Sequence, residues 1–265
     1  MEETSSPRVA LVTGAGRGIG DTVARKLAAN GFDIVAHYGP GESVDDLESA
    51  IRGLGQRCVL VPGDFRQPDV PEHLVKVAWD TFGSLDLLVN NAGVTSFAEV
   101  TAIEGSHLDD LYAINFRAPV LISRGVARRW KDAGRGGVIV SITSVHQERC
   151  TDRDAVYGSL KAALSRFTAS LGYELSPFGI RALAIAPGLI QRRKPAPDEA
   201  LTNWYDTVAP AIPVGRVGTG DDIAEAILWL ASPQAGFITG ITLRVDGGVN
   251  LPMARALVEG DLRFF

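Results

Sequence analysis

Short runs rich in Val, Ile and Leu alternate along the chain with longer stretches in which apolar residues recur every three or four positions. The short runs are Val9 to Thr13, Asp33 to His37, Arg57 to Val61, Leu85 to Asn90, Val138 to Ile142, Arg181 to Ala186 and Ile241 to Val245. They are apolar nearly throughout instead of at every second residue, the pattern of parallel strands covered on both faces. The longer stretches predict helices at about Gly18 to Asn30, Val44 to Leu54, Val70 to Phe82, His107 to Ala133, Asp154 to Ser176 and Asp221 to Ala231. Suitable stop signals follow several of them: Gly31 after the first, Pro177 and Gly179 after the fifth, Ser232 and Pro233 after the last. This alternation predicts an α/β fold, a doubly wound, mostly parallel seven-stranded sheet with helices on both faces. No repeat, low-complexity tract or linker divides the sequence, so residues 1-265 are expected to form a single domain, with a polar, lid-like insertion at about 188-212.

Composition narrows the function classes. A hydrophobic fraction of 46% beside 22% charged residues fits a folded chain with a large core. A net charge of −5 creates no field that would draw nucleic acid or an anionic membrane, so neither is expected as a partner. Cys58 and Cys150 are too few for a disulfide framework, and His37, His73 and His107 lack metal-ligand spacing, so no metal site is expected. The acidic, polar N-terminus is unlike a signal peptide, and no apolar run reaches the roughly 18 residues of a membrane span. A cytoplasmic protein is expected.

Candidate chemistry gathers at the carboxyl ends of the strands, where open α/β sheets bind ligands. The first strand leads into "VTGAGRGIG", in which Gly14, Gly18 and Gly20 would let a diphosphate approach backbone N–H groups and the positive end of a helix. Its G-x-x-x-G-x-G spacing departs from the common G-x-G-x-x-G fingerprint. Later strands end in "LVNNAGV", "VIVSITSVH" and "LAIAPGL". In the fifth helix Tyr157 and Lys161 stand four residues apart, which stacks them on one helical face.

Together these motifs resemble the short-chain dehydrogenase/reductase family, from about Val9 to Gly248. The matching residues are Thr13, Gly14, Gly18 and Gly20, then Asp64, Asn90-Asn91-Ala92-Gly93, Asn115, Ser144, Tyr157 with Lys161, and Pro187-Gly188. Ser144 lies 13 residues before Tyr157, the interval usual in that family. The resemblance implies a Rossmann-type NAD(P)-binding catalytic domain acting on a small carbonyl or alcohol. It implies that Tyr157 exchanges the proton with the substrate oxygen, Ser144 hydrogen-bonds that oxygen, Lys161 also binds the nicotinamide ribose, and Asn115 completes a proton relay through water. The coenzyme set it implies is Gly14, Arg17, Gly18, Ile19, Gly20, Tyr38, Asp64, Phe65, Asn91, Ala92, Gly93, Tyr157, Lys161, Pro187, Gly188 and Ile190. A free tyrosine ionises near pH 10, so acid/base work near neutrality asks for roughly 4 kcal/mol in favour of phenolate. An ammonium about 4 Å away at an effective dielectric near 20 is worth about 4 kcal/mol, and an oxidised nicotinamide adds a second positive charge. Lys161 is therefore expected to lower the pKa of Tyr157 and favour its phenolate.

Within the family, "SITSVHQ" and "GFITGITLRVDGGVNL" are similar to the glucose 1-dehydrogenase group, which points to a sugar or polyol. A 3-oxoacyl-thioester reductase shares nearly all the same motifs, and a dinucleotide-sensing regulatory protein without turnover is the alternative of another class. Tyr38 stands where NAD-preferring relatives carry an Asp that would repel a 2′-phosphate. With Arg17 able to reach that phosphate, and His37 or Ser43 as further hydrogen-bond partners, NADP(H) is the expected coenzyme and NAD(H) the secondary one. Arg192 occupies the place of the family's usual nicotinamide-contacting Thr. Arg192, Arg193 and Lys194 read either as a solvated loop face or as an anion-binding element. His146 reads equally as a substrate neighbour or a plain loop histidine, and Cys150 as an inert thiol. The apolar last helix and strand, with the segment after Gly248, form an edge expected to be buried, and the resemblance implies a homotetramer that buries it, a homodimer being the smaller alternative.

Overall fold

In a computed structural model, residues 7–191 and 199–251 are described. Seven strands run in chain order as β1 Arg8–Val12, β2 Phe32–Tyr38, β3 Cys58–Pro62, β4 Leu87–Asn90, β5 Gly137–Ile142, β6 Ile180–Pro187 and β7 Thr242–Val245. They form one sheet in the order β3-β2-β1-β4-β5-β6-β7, and every neighbouring pair is parallel. The winding direction reverses between β1 and β4, so a crevice opens there, at the carboxyl ends of the strands where the sequence gathers its candidate chemistry.

Strand alternation assigns the two faces. Ala10 and Val12 of β1 turn toward α1 Gly18–Ala29, α2 Asp45–Gly53 and α8 Gly220–Leu230, whose Val23, Leu27, Ile51, Ile223 and Ile227 fill one core. Val9 and Leu11 turn the opposite way, toward α3 Val70–Phe82, α5 Ala118–Asp132 and α6 Ala155–Leu175, with Leu74, Ile122, Val126 and Trp130 in the second core. Both faces of each strand are thus apolar, which is why the strands read as continuous runs. Trp130 is fully buried, and its Nε1–H donates to the Leu85 carbonyl at 2.6 Å, satisfying its one polar atom.

The structure departs from the expected elements in two places. The helix expected from His107 to Ala133 is α4 Gly105–Tyr112 and α5, joined by a π-helical turn Ala113–Arg117. Pro119 has no N–H to give the Asn115 carbonyl, and the Ala118 N–H reaches back five residues to Ala113. The insertion contains a helix, α7 Glu199–Val208, and Tyr205 packs with Ile212 and Val217 in a small core of its own. Arg192, Arg193, Lys194 and the tail beyond Leu251 lie outside the described residues. Among the described residues no helix is long and apolar enough to cross a membrane, and no cluster of His, Cys, Asp and Glu suits a metal ion.

Candidate active site

The turn between β1 and α1 is built by close backbone approach. Gly14 has φ +64°, and a Cβ there would stand 2.9 Å from the Ala92 Cα. A Cβ on Gly20 would lie 2.1 Å from the Gly14 carbonyl oxygen, so any side chain would push α1 away from the turn. No side chain caps α1. Its first N–H groups, at Gly18, Ile19 and Gly20, are left to meet an anion, and the turn fits a dinucleotide diphosphate. The end of β4 braces this turn. Thr13 Oγ1 accepts the N–H groups of Asn91 and Ala92 at 2.9 and 3.0 Å, while Asn91 Nδ2 donates to the Thr13 and Gly14 carbonyls at 2.8 and 3.1 Å. Asn91, expected among the coenzyme contacts, thus has its amide nitrogen committed to shaping the cradle.

Several residues of the adenosine side are engaged differently from the expectation. Arg17 is paired: its Nε lies 2.8 Å from Glu42 Oε1, and Glu42 Oε2 accepts the Gly39 N–H at 3.0 Å. Tyr38 at the end of β2 is half-buried. His37 is no candidate for a coenzyme hydrogen bond, because Nδ1 accepts from the Gly14 N–H at 3.2 Å and Nε2 donates to the Gly63 carbonyl at 3.1 Å. Its ring stacks on Phe65 at 4.0 Å, and burial lowers its pKa to about 4, so it is a neutral structural element. Phe65, another expected contact, is buried beneath that ring, and its carbonyl accepts from Arg117 at 3.0 Å. Arg66 clasps the Asp64 carboxylate at 2.7 Å and holds its pKa below the usual range. On the far side Pro187 ends β6, and the Gly188 N–H donates to the Val245 carbonyl at 3.1 Å. Ile190 bridges to Gly218.

The four residues expected to carry the chemistry converge at the ends of β4 and β5. Ser144 follows β5 and opens a short turn, Val145–Gln147, accepting the His146 N–H on its Oγ at 3.2 Å. The Tyr157 hydroxyl hydrogen-bonds Ser144 and also Thr95, a residue in the loop after "NNAG" that no sequence motif marks. Lys161 is buried, and its Nζ donates to the Ile142 carbonyl at 3.0 Å while standing 5.7 Å from the centre of the Tyr157 ring. Asn115 is fully buried in the π-helical turn, its Nδ2 donating to the Val94 and Leu111 carbonyls at 3.0 and 3.1 Å. Among the described residues its Oδ1 has no hydrogen-bond partner. A Cβ on Gly93 would fall 3.0 Å from that oxygen and 3.2 Å from Lys161 Nζ, so the bare glycine keeps the space between them clear.

The electrostatics correct one expectation. Burial raises the pKa of Tyr157 above its ordinary value of 10; hydrogen bonds to Ser144 and Thr95 draw it partly back, and the Asp154 carboxylate adds to the rise. Burial also lowers Lys161 to about 8. The protein alone therefore keeps Tyr157 as a phenol, because desolvation outweighs what Ser144 and Thr95 do to favour the phenolate. A phenol flanked by a hydroxyl and a buried lysine can donate a proton to an oxygen held between Tyr157 and Ser144. Cys150 is exposed at the edge of this region.

The family model described as enoyl-(acyl carrier protein) reductase matches residues 14–250. An L-rhamnose 1-dehydrogenase (NAD(P)(+)) of Azotobacter vinelandii is 34% identical over 92% of this chain and 98% of its own. A 3beta-hydroxysteroid dehydrogenase of Eggerthella lenta is 33% identical over 95% of this chain and 97% of its own. The crystal structure of an acetoin dehydrogenase from Salmonella typhimurium superposes with a TM-score of 0.87 at 30% identity, covering 94% of this chain and 98% of that one.

Proposed function

The chain belongs to the short-chain dehydrogenase/reductase family and is an NAD(P)-dependent oxidoreductase, and from that premise we propose that it interconverts a secondary alcohol and its carbonyl on a sugar or polyol. The observation that carries the reading is the meeting of Ser144, Tyr157, Lys161 and Asn115 around one point of the crevice, beside a turn fitted to a diphosphate. The α1 amides at Gly18 to Gly20 would hold the diphosphate, and Lys161 the nicotinamide ribose. When bound, the nicotinamide supplies or accepts the hydride. In the reducing direction Tyr157, kept protonated by burial, gives its proton to the carbonyl oxygen, which Ser144 orients. Lys161 stabilises the resulting phenolate and helps return the proton, and the free Asn115 Oδ1 holds the water that resupplies it. In the oxidising direction Tyr157 must first lose its proton, and charge beyond that of Lys161 is needed to favour the phenolate.

The likeness to a rhamnose 1-dehydrogenase supports a sugar, and the family model's description supports a 3-oxoacyl thioester as the competing substrate. The complete set of reacting groups speaks against a sensor without turnover. For the coenzyme we propose NADP(H) first and NAD(H) second: Tyr38 brings no charge against a 2′-phosphate and Arg17 can bind it, though Glu42 competes for that guanidinium. The test is NAD(P)H absorbance against a panel of sugars, polyols, simple carbonyls and a 3-oxoacyl thioester. Turnover of the sugars or polyols is expected; turnover of the thioester alone selects the second reading, and none at all the sensor.

A further inference from the structure

Two groups beside Tyr157 have no part in that mechanism. Asp154, preceding α6, is 4% exposed, and its Oδ2 lies 2.8 Å from His146 Nδ1. An ionised carboxylate only accepts, so the imidazole carries its hydrogen on Nδ1 and turns Nε2 away from Asp154. Nothing among the described residues bonds to Nε2, and the His146 side chain is 26% exposed. The ring meets Tyr157 edge to face, centres 5.7 Å apart, and Phe97 lies 6.5 Å away in the loop that supplies Thr95. The turn that holds His146 is pressed onto α6, because a Cβ at Gly158 would come within 2.8 Å of the His146 carbonyl oxygen. A ring fixed at one nitrogen by a buried carboxylate and open at the other, next to the reacting phenol, is arranged to bind something there.

We infer that His146, oriented by Asp154, reads a hydroxyl on the carbon next to the reacting one, so that vicinal diols and α-hydroxy carbonyls are the preferred substrate class. This rests on the alcohol–carbonyl reading above. The neutral ring offers Nε2 as an acceptor, and the protonated ring offers it as a donor. A hydroxyl answers both states, whereas a carboxylate or carbonyl answers only the second. The His146 ring centre lies 5.7 Å from that of Tyr157 and the His146 N–H meets Ser144 Oγ at 3.2 Å, which puts the carbon next to an oxygen held by Ser144 and Tyr157 within reach of the imidazole. Here His146 binds substrate and Asp154 is a positioning residue. A site that pairs with a substrate hydroxyl discriminates against the analogue lacking it, because its polar group is then left unpaired.

The probes are butane-2,3-diol and butan-2-ol, oxidised by the full chain with its coenzyme. Wild type is expected to favour the diol by about tenfold or more in kcat/KM. His146→Ala should bring that preference to about threefold or less, mainly through the diol KM. Asp154→Asn, whose amide oxygen still accepts the Nδ1 hydrogen, should lose a smaller part of it in the same direction. A folded His146→Ala with unchanged preference overturns the inference, and so does a wild type that does not favour the diol, which needs no variant at all. Failure of wild type on both alcohols and on the whole carbonyl panel instead overturns the alcohol–carbonyl reading itself. If Asp154 only stabilised the turn, Asp154→Asn would lower the melting temperature and leave the preference intact.

Discussion

We propose that Glu42 sets how much of the Arg17 charge a 2′-phosphate can use. Its carboxylate lies 2.8 Å from the guanidinium that would bind the phosphate, and like charge in that pocket also repels it. The Arg17 side chain is 75% exposed, so the pair contributes little stability by itself and can exchange partners. Glu42→Gln is expected to shift the kcat/KM ratio toward NADP(H) by about fivefold, the size of an exposed charge interaction. An unchanged ratio in steady-state assays would show that Glu42 does not act on coenzyme choice. At this scale Ser144, Tyr157 and Lys161 are legible as candidates from their intervals, and Asn115 from the family resemblance. Glu42, Thr95 and Asp154 were not, since their roles come from partners on other elements. Arg17 meets Glu42 only because the turn after β1 folds against the end of β2, which no local spacing records. Tyr157 shows the reverse limit: its place is readable from the sequence, yet its raised pKa is not, because burial is a property of the folded surroundings.

Among the elements, the end of β2 has the clearest test. His37 ties the Gly14 turn to the Gly63 turn through its two nitrogens and is 2% exposed. The unfolded chain takes up a proton at this residue near 6.5, while the folded chain resists until about 4. Between these values the unfolded state binds more protons, so stability is lost as pH falls through that window, by about 3 kcal/mol at most. Denaturant unfolding from pH 7 to pH 4 should show a shallower loss for His37→Gln than for wild type. Equal slopes would place the acid sensitivity elsewhere. The strands were legible to within a residue or two because two-sided burial forces continuous apolar runs. The break before α5 escaped because the apolar period runs on through Pro119, and the π-helical turn depends on one missing N–H. Helix α7 escaped although Leu201, Tyr205 and Val208 recur at helical spacing in the sequence, since Pro195, Pro197 and Pro210 flank it and mark a loop.

For the molecule as a whole, β7 is an edge strand that among the described residues pairs only with β6, and Trp229, Phe237 and Ile241 near it are exposed. Such an edge is ordinarily covered, and we propose that a second subunit covers it within a homotetramer of twofold symmetry. Light scattering at micromolar concentration should give four times the 28.2 kDa chain, and a monomer mass would refute the proposal. The parallel sheet was readable from the alternation of strands and helices, and the ligand-binding ends of its strands from the polar motifs there, whereas the strand order and its switch point come from the fold. The substrate was not, because relatives with this scaffold act on a sugar, a steroid and acetoin. The central claim is that the Tyr157 hydroxyl carries the proton for a reaction whose coenzyme is held independently by the turn at Gly14 to Gly20. Tyr157→Phe measures it most directly, with turnover on the best substrate of the panel read beside coenzyme affinity. Turnover should fall about 100-fold or more while the coenzyme Kd stays within about threefold; near-normal turnover in that variant would contradict the account.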